Sequence, residues 1–192
     1  GAQLVKLEAD DVVLDIGGND GTMLSYLDVS VAAKVNIDAA EGVKSVQVSG
    51  NYKRVEGAFT SGLYKKLGLR KPKLIFSVAM FYHLDNPLTF CKDVASIMDD
   101  DSLWVIQMTY LGSMLESNIY DNIVHEHKAY YSIHSLEHLL ELAGLYICGA
   151  RVVESYGGSI RVFVSKKQRK IEMHDLSQEH ENIKKEEIRD KR

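Results

Sequence analysis

Short runs of consecutive apolar residues alternate with segments of helical spacing along the first half of this chain. Residues 12–16 (Val-Val-Leu-Asp-Ile) are β-branched, brief and stopped by glycines, the mark of a strand buried on both faces. Residues 34–38 repeat the pattern and end in Asp38. Residues 73–78 start just after Pro72, and 102–107 make a further run. Between them, residues 22–27 open as a helix that Asp20 or Thr22 can cap. Residues 88–98 place Leu88, Cys91, Val94, Ala95 and Met98 on one helical face. Strands alternating with helices predict an α/β, Rossmann-like architecture with a mostly parallel sheet covered on both faces.

The pattern changes later. Residues 135–143 predict a short helix with Leu136, Leu139, Leu140 and Ala143 inward, followed by Gly144 where a C-terminal cap belongs. Residues 145–154 and 159–165 read as two strands around Tyr156-Gly157-Gly158, an antiparallel hairpin closing the sheet. Residues 166–192 are dense in charge and poor in apolar positions, which predicts a solvated helix or linker. The expected division is therefore a domain over 1–165 and a charged segment over 166–192.

Composition narrows the function classes. The chain has 192 residues, 45% hydrophobic and 26% charged, enough for one substantial core. A formal net charge of −4 gives no basic surface for nucleic acid. Cys91 and Cys148 form no CxxC pair, so neither a disulfide framework nor a cysteine zinc site is expected. No apolar run reaches the roughly 18 residues that span a bilayer. A reducing cytoplasm is the expected setting, with a small-molecule substrate and no membrane partner; oligomeric state is not encoded in any pattern seen.

The most informative segment is Asp15-Ile16-Gly17-Gly18-Asn19-Asp20-Gly21, between the first strand and its helix. Ligands of open α/β sheets bind at the carboxyl ends of strands, where such loops lie. A dinucleotide loop needs G-x-G-x-x-G, and Ile16 stands where the first glycine belongs. Charge discriminates further: a pyrophosphate beside Asp15 and Asp20 is repelled, whereas the sulfonium and ammonium of S-adenosylmethionine are attracted. Asp38, ending the next strand, can accept from two ribose hydroxyls. Asp15, Gly17, Gly18, Asn19, Gly21 and Asp38 are thus the expected cofactor-lining residues, with Phe59, Val78, Ala79 and Met80 on the adenine side.

Four of the seven histidines fall between His125 and His138. A metal site from His125, His127, His134 and His138 is disfavoured, because His134 and His138 fall opposite Leu136 and Leu140 on the predicted helix. Acid–base catalysis from His125-Glu126-His127 is the other reading, since an imidazole titrating near ~6.5 can accept a proton at neutral pH. In an extended segment His125 and His127 face one way and Glu126 the other. His83 and Tyr110 follow strands and lie at the same sheet edge as the glycine loop.

The loop above, the run Asp-Asn-Ile-Val-His-Glu-His-Lys-Ala-Tyr-Tyr-Ser from Asp121 to Ser132, and Gly157-Gly158-Ser159-Ile160-Arg161-Val162 resemble the sugar C-methyltransferases over about residues 12–164. The resemblance implies a class I methyltransferase fold and methylation of a nucleotide-linked keto sugar through an enolate. It implies that His127 is the base, that Glu126 contacts the sugar, and that His83 lies near the substrate; Tyr110, His125 and Tyr130 are further candidate substrate contacts. Val124 stands where sugar enzymes often carry a tyrosine, and Tyr156 where they often carry histidine. Tyr110, Tyr130 and Tyr131 are the candidates to compensate for the first, although no pattern in the sequence singles one out. Well-studied members also carry an N-terminal zinc module and a further C-terminal domain, so the likeness is to their central catalytic domain.

Overall fold

A seven-stranded sheet in the order β3-β2-β1-β4-β5-β7-β6 organises the molecule. The computed structural model describes residues 5–155, 158–169 and 176–189. Strands β1 (Val12–Ile16), β2 (Ala33–Asp38), β3 (Tyr52–Glu56), β4 (Leu74–Val78) and β5 (Leu103–Thr109) run parallel. β7 (Ser159–Ser165) is antiparallel to β5, and β6 (Tyr146–Val153) pairs antiparallel with β7 at the edge. The expected mixed sheet is therefore present, and its strand order reverses between β1 and β4, where open sheets hold ligands. Tyr156 and Gly157 of the expected hairpin turn lie outside the described residues.

Both sheet faces are apolar because the central strands are buried on both. One face carries Leu14, Ile37, Ile75, Trp104, Ile106 and Val162, covered by α2 (Ser61–Lys65), α3 (Pro87–Ile97) and α5 (Ile133–Glu141). The other carries Val13, Phe76, Val105 and Phe163, with Leu24 of α1 (Thr22–Ser25) packed against them. Helix starts follow local chemistry. Asn86 accepts from the Thr89 N–H, and Pro87 sits in the first turn, where its missing N–H costs nothing. Ser132 and Ser135 cap α5 reciprocally, so that helix begins two residues earlier than the apolar spacing suggested.

Three short elements escape the hydrophobic pattern. β3 is a half-exposed edge strand, and α2 and α4 (Leu111–Glu116) are only one to two turns long. α1 is shorter than expected: its N-cap is Gly21 in the left-handed region, with no side-chain cap.

The largest departure is α6 (Leu176–Arg189), which is docked rather than solvated. Ile183 and His180 are buried, Arg151 of β6 pairs with Glu179 at 3.0 Å, and Lys184 pairs with Glu137 of α5 at 2.7 Å. Among its described side chains, the helix docks through Ile183, His180 and ion pairs, a mode of attachment that hydrophobic spacing alone does not reveal.

Candidate active site

The 15–21 loop crosses the carboxyl ends of β1 and β2. Gly17 has φ +77°, and a Cβ there would come within 2.9 Å of Met80 Cγ. Gly18 lies over two buried side chains: a Cβ would stand 2.4 Å from Asp15 Oδ2 and 2.7 Å from Asn36 Oδ1. Asn19 is itself left-handed, at φ 48°, and its peptide is fixed from both sides. Asp38 accepts the Asn19 N–H at 2.8 Å and the Ala40 N–H at 2.7 Å. The Asn19 carbonyl accepts from Asn36 Nδ2 at 2.9 Å and from Arg54 Nε at 3.3 Å. Arg54 also donates to the Ala40 carbonyl and to Glu56, so β3 braces the loop and the turn after Asp38 together. Gly21 packs against the Tyr52 hydroxyl.

The electrostatics are set by burial. Asp15 is 1% exposed, and desolvation, reinforced by the Asp38 charge, pushes its carboxyl up to about 7. Asp15 Oδ2 and Asn36 Oδ1 are buried with no hydrogen-bond partner. The two residues are directly paired across β1 and β2. A protonated Asp15 can donate to Asn36; an ionised one leaves two orphaned acceptors. Asp20 differs: hydrogen bonds from the Thr22 side chain and backbone hold its exposed carboxyl below the usual range.

Beside this loop, a one-turn 3-10 helix, Phe81–His83, follows directly from Met80. It meets the 125–128 turn. His127 N–H donates to the Val124 carbonyl at 3.0 Å, and Lys128 N–H donates to the Tyr82 carbonyl at 2.8 Å. The imidazoles of His83 and His127 lie 5.3 Å apart, centre to centre, and Tyr82 lies 4.1 Å from His127. His127 Nδ1 is 2.9 Å from the Asn122 carbonyl, and His83 Nδ1 is 2.8 Å from the Glu126 carbonyl. A carbonyl only accepts, so each Nδ1 carries a proton. In the neutral ring that leaves Nε2 with the lone pair.

The sequence profile of the family described as a methyltransferase domain matches residues 2–148. The chain belongs to that family. Among curated relatives, this methyltransferase domain is 26% identical over 163 residues to the C-methyltransferase NovU of Streptomyces niveus. That match takes in 84% of this chain and 39% of NovU. Solved structures share the fold at lower identity. A chain in the complex of the Haloferax volcanii Trm112 methyltransferase activator with a methyltransferase gives TM-score 0.65 at 12% identity, over 85% of this chain and 86% of that one. Magnesium protoporphyrin IX methyltransferase of Synechocystis PCC 6803 gives 0.59 at 12% identity, over 82% and 75%.

S-adenosylmethionine fits the residues present. The buried Asp15 carboxyl with its unpartnered oxygen, the exposed Asp20 carboxylate and Asp38 at the end of β2 gather acidic side chains around the loop, which suits a cationic ligand. Gly17, Gly18, Asn19 and Gly21 would hold its backbone-contacting side, and Asp38 retains lone pairs for hydroxyls. Asp15 acts from beneath the loop rather than at its surface. Val78, Ala79 and Met80 lie at the expected edge: Met80 touches Gly17, and Ala79 takes φ 54°. Phe59 rests edge-to-face on Phe90 at 5.4 Å and so belongs to the core beside α3.

On the other side, His83 and His127 are brought together as expected, but the segment is a turn and not extended. His125 and Glu126 occupy its corners, with side chains 92% and 68% exposed, while His127 points inward. His125 and His127 therefore do not share a face. Glu126 meets His83 through its backbone carbonyl, not its carboxylate. Tyr110, expected among the substrate contacts, is instead buried, and its hydroxyl donates to Glu187. Tyr131 is also in the core, 5.3 Å from Phe81, and burial pushes its phenol up to about 12. Tyr130 stays beside His127 and donates to the Asn122 carbonyl at 3.2 Å. Of the two α5 histidines expected to face solvent, His138 is exposed whereas His134 pairs with Glu187 at 2.5 Å. No group of three metal-ligating side chains occurs among the described residues, and no described helix is long and apolar enough to cross a membrane.

Asn36, Tyr52, Arg54, Tyr82, Asn122 and Glu187 are the residues sequence reasoning passed over. Asn36 left a signal of its own, an amide between Val35 and Ile37 in a strand expected to be buried. Tyr52, Arg54 and Glu187 act through side chains that reach residues distant in sequence, and Tyr82 and Asn122 through their carbonyls, and neither kind of contact can be read from residue type and spacing.

Proposed function

We propose that this S-adenosylmethionine-dependent methyltransferase domain methylates a carbon next to the ketone of a nucleotide-linked keto sugar. The observation that carries the reading is His127, turned inward against His83 and Tyr82 with its Nδ1 committed to a carbonyl. The likeness to a C-methyltransferase over 84% of the chain supports it.

Carbon is a poor nucleophile until deprotonated, so the site needs a base with a free lone pair. His127 Nε2 takes the proton from the carbon beside the carbonyl, and that C–H electron pair becomes the enolate. His83, next to it, holds the acceptor oxygen. S-adenosylmethionine, when bound, would supply an electrophilic methyl group on its sulfonium, with the neutral thioether as the leaving group. The new C–C bond forms from the enolate pair, and His127 returns its proton to solvent. Asn122 fixes the ring plane of His127, and Tyr130 shares the same carbonyl, which keeps the lone pair aimed.

The test is incubation with methyl-labelled S-adenosylmethionine and a panel of nucleotide-linked 4-keto hexoses. A product labelled on ring carbon is expected. Label on oxygen or nitrogen would replace the reading with hydroxyl or amine methylation. Donor binding with no transfer to any acceptor would indicate a binding domain.

A further inference from the structure

The connection carrying His127 leaves the sheet at Tyr110 and returns at Tyr131, and these two residues form a bridge at its base. Leu111 N–H donates to the Tyr131 carbonyl at 3.2 Å. Both ends also meet one carboxylate. Glu187 of α6 accepts from the Tyr110 hydroxyl at 2.7 Å and from the Ile133 N–H at 2.6 Å through Oε1. Its Oε2 faces His134 Nδ1 at 2.5 Å and the His134 N–H at 3.4 Å. The Glu187 side chain is only 9% exposed. Burial raises its carboxyl, but the bonds from His134, Ile133 and Tyr110 outweigh that and hold it below the ordinary range.

Docking α6 does not require this convergence. Ile183, the Arg151–Glu179 pair and the Lys184–Glu137 pair already attach the helix to β6 and α5. Four donors on one carboxylate join the start of the 110–133 connection to its end. Inside the connection, the Asn122 carbonyl orients His127 and Tyr130, and Lys128 ties the turn to Tyr82 and Asp85. The interior is thus braced within itself and against the 81–85 segment beside the glycine loop, and the clasp at its base is the second anchor that sets its placement.

We propose that Glu187 is a positioning residue for methyl transfer: it clasps both ends of the connection and so sets the placement of His127 against the acceptor carbon. This role rests on the reading of His127 as the base. A shift of about 1 Å in a reacting group costs on the order of 100-fold in rate, so a clasp remote from the chemistry has a large effect on kcat.

The test compares Glu187→Ala with Glu187→Gln in the full chain. Glutamine keeps an Oε1 that accepts from Tyr110 and Ile133. With a nucleotide-linked 4-keto hexose as acceptor, Glu187→Ala is expected to lower kcat ~10–100-fold at unchanged S-adenosylmethionine affinity, and Glu187→Gln to recover most of it. Tyr110→Phe, which removes one donor only, should fall between. Equal kcat in all variants overturns the proposal. So does a parallel fall in donor affinity, which would make Glu187 a general stability residue. If the wild-type chain transfers no methyl to these sugars, the acceptor reading has failed, and the clasp is judged by amide hydrogen exchange. Faster exchange across residues 111–132 in Glu187→Ala, with residues 15–21 still protected, supports it; unchanged exchange overturns it.

Discussion

Replacing Asp15 with asparagine should stabilise the domain while weakening its hold on the methyl donor. The carboxyl is raised from 3.8 to about 7, chiefly by burial. Three units correspond to roughly 4 kcal/mol of preference for the protonated form in the fold. The sign follows from linkage. A group whose folded-state value is raised imposes no penalty below its unfolded value; the penalty grows as pH rises through the interval and is complete above about 7. Asparagine carries no charge, and its amide can donate to Asn36 Oδ1, which otherwise lacks a partner. Asp15→Asn is therefore expected to gain about 2–4 kcal/mol at pH 8, with the gain shrinking toward pH 4. The lost carboxylate acts the other way on the ligand. Removing a carboxylate from beneath a site for a cationic donor should weaken binding, and more so above pH 7, where Asp15 is ionised. Urea titrations at several pH values read the first effect and calorimetry with S-adenosylmethionine the second. A destabilised Asp15→Asn at pH 8, or a stability difference that does not vary with pH, would refute the reasoning.

The remaining expectations concern the same loop. Gly18→Ala places a methyl 2.4 Å from Asp15 Oδ2, so the loop must shift; donor binding should be lost, and calorimetry checks it. Arg54→Ala removes a donor to the Ala40 carbonyl and one of the two to the Asn19 carbonyl, and should cost about 1–3 kcal/mol of stability and several-fold in donor affinity, read by urea titration and calorimetry. Asp38→Ala removes the acceptor of the Asn19 N–H along with the ribose contact proposed for it, and should weaken the donor more than Arg54→Ala does; equal affinities would argue against the ribose role.

The parts of this molecule that the sequence displayed are those where residue type and position are tied by burial. β1, β4 and β5 are nearly continuous apolar runs because they are buried on both faces, β2 shows its apolar positions at every second residue, and β7 emerged with the expected limits. The glycine loop was legible because only glycine fits over Asp15, Asn36 and Met80. β3 and α6 were not, since each is held by polar and ionic contacts that a hydrophobic period does not register. For the histidines, the inward turn of His127 was hidden. A four-residue turn from Val124 to His127 is set by a backbone hydrogen bond, and an assumed extended segment placed His125 on the wrong side. The fate of Tyr110 depended on Glu187, 77 residues away.

Solvent deuterium exchange at the carbon next to the ketone of a nucleotide-linked 4-keto hexose, without methyl donor, tests the central claim most directly. The wild-type chain should exchange that hydrogen. His127→Asn should abolish exchange while binding S-adenosylmethionine as tightly as before. Exchange that persists in His127→Asn would contradict the assignment of His127 as the base.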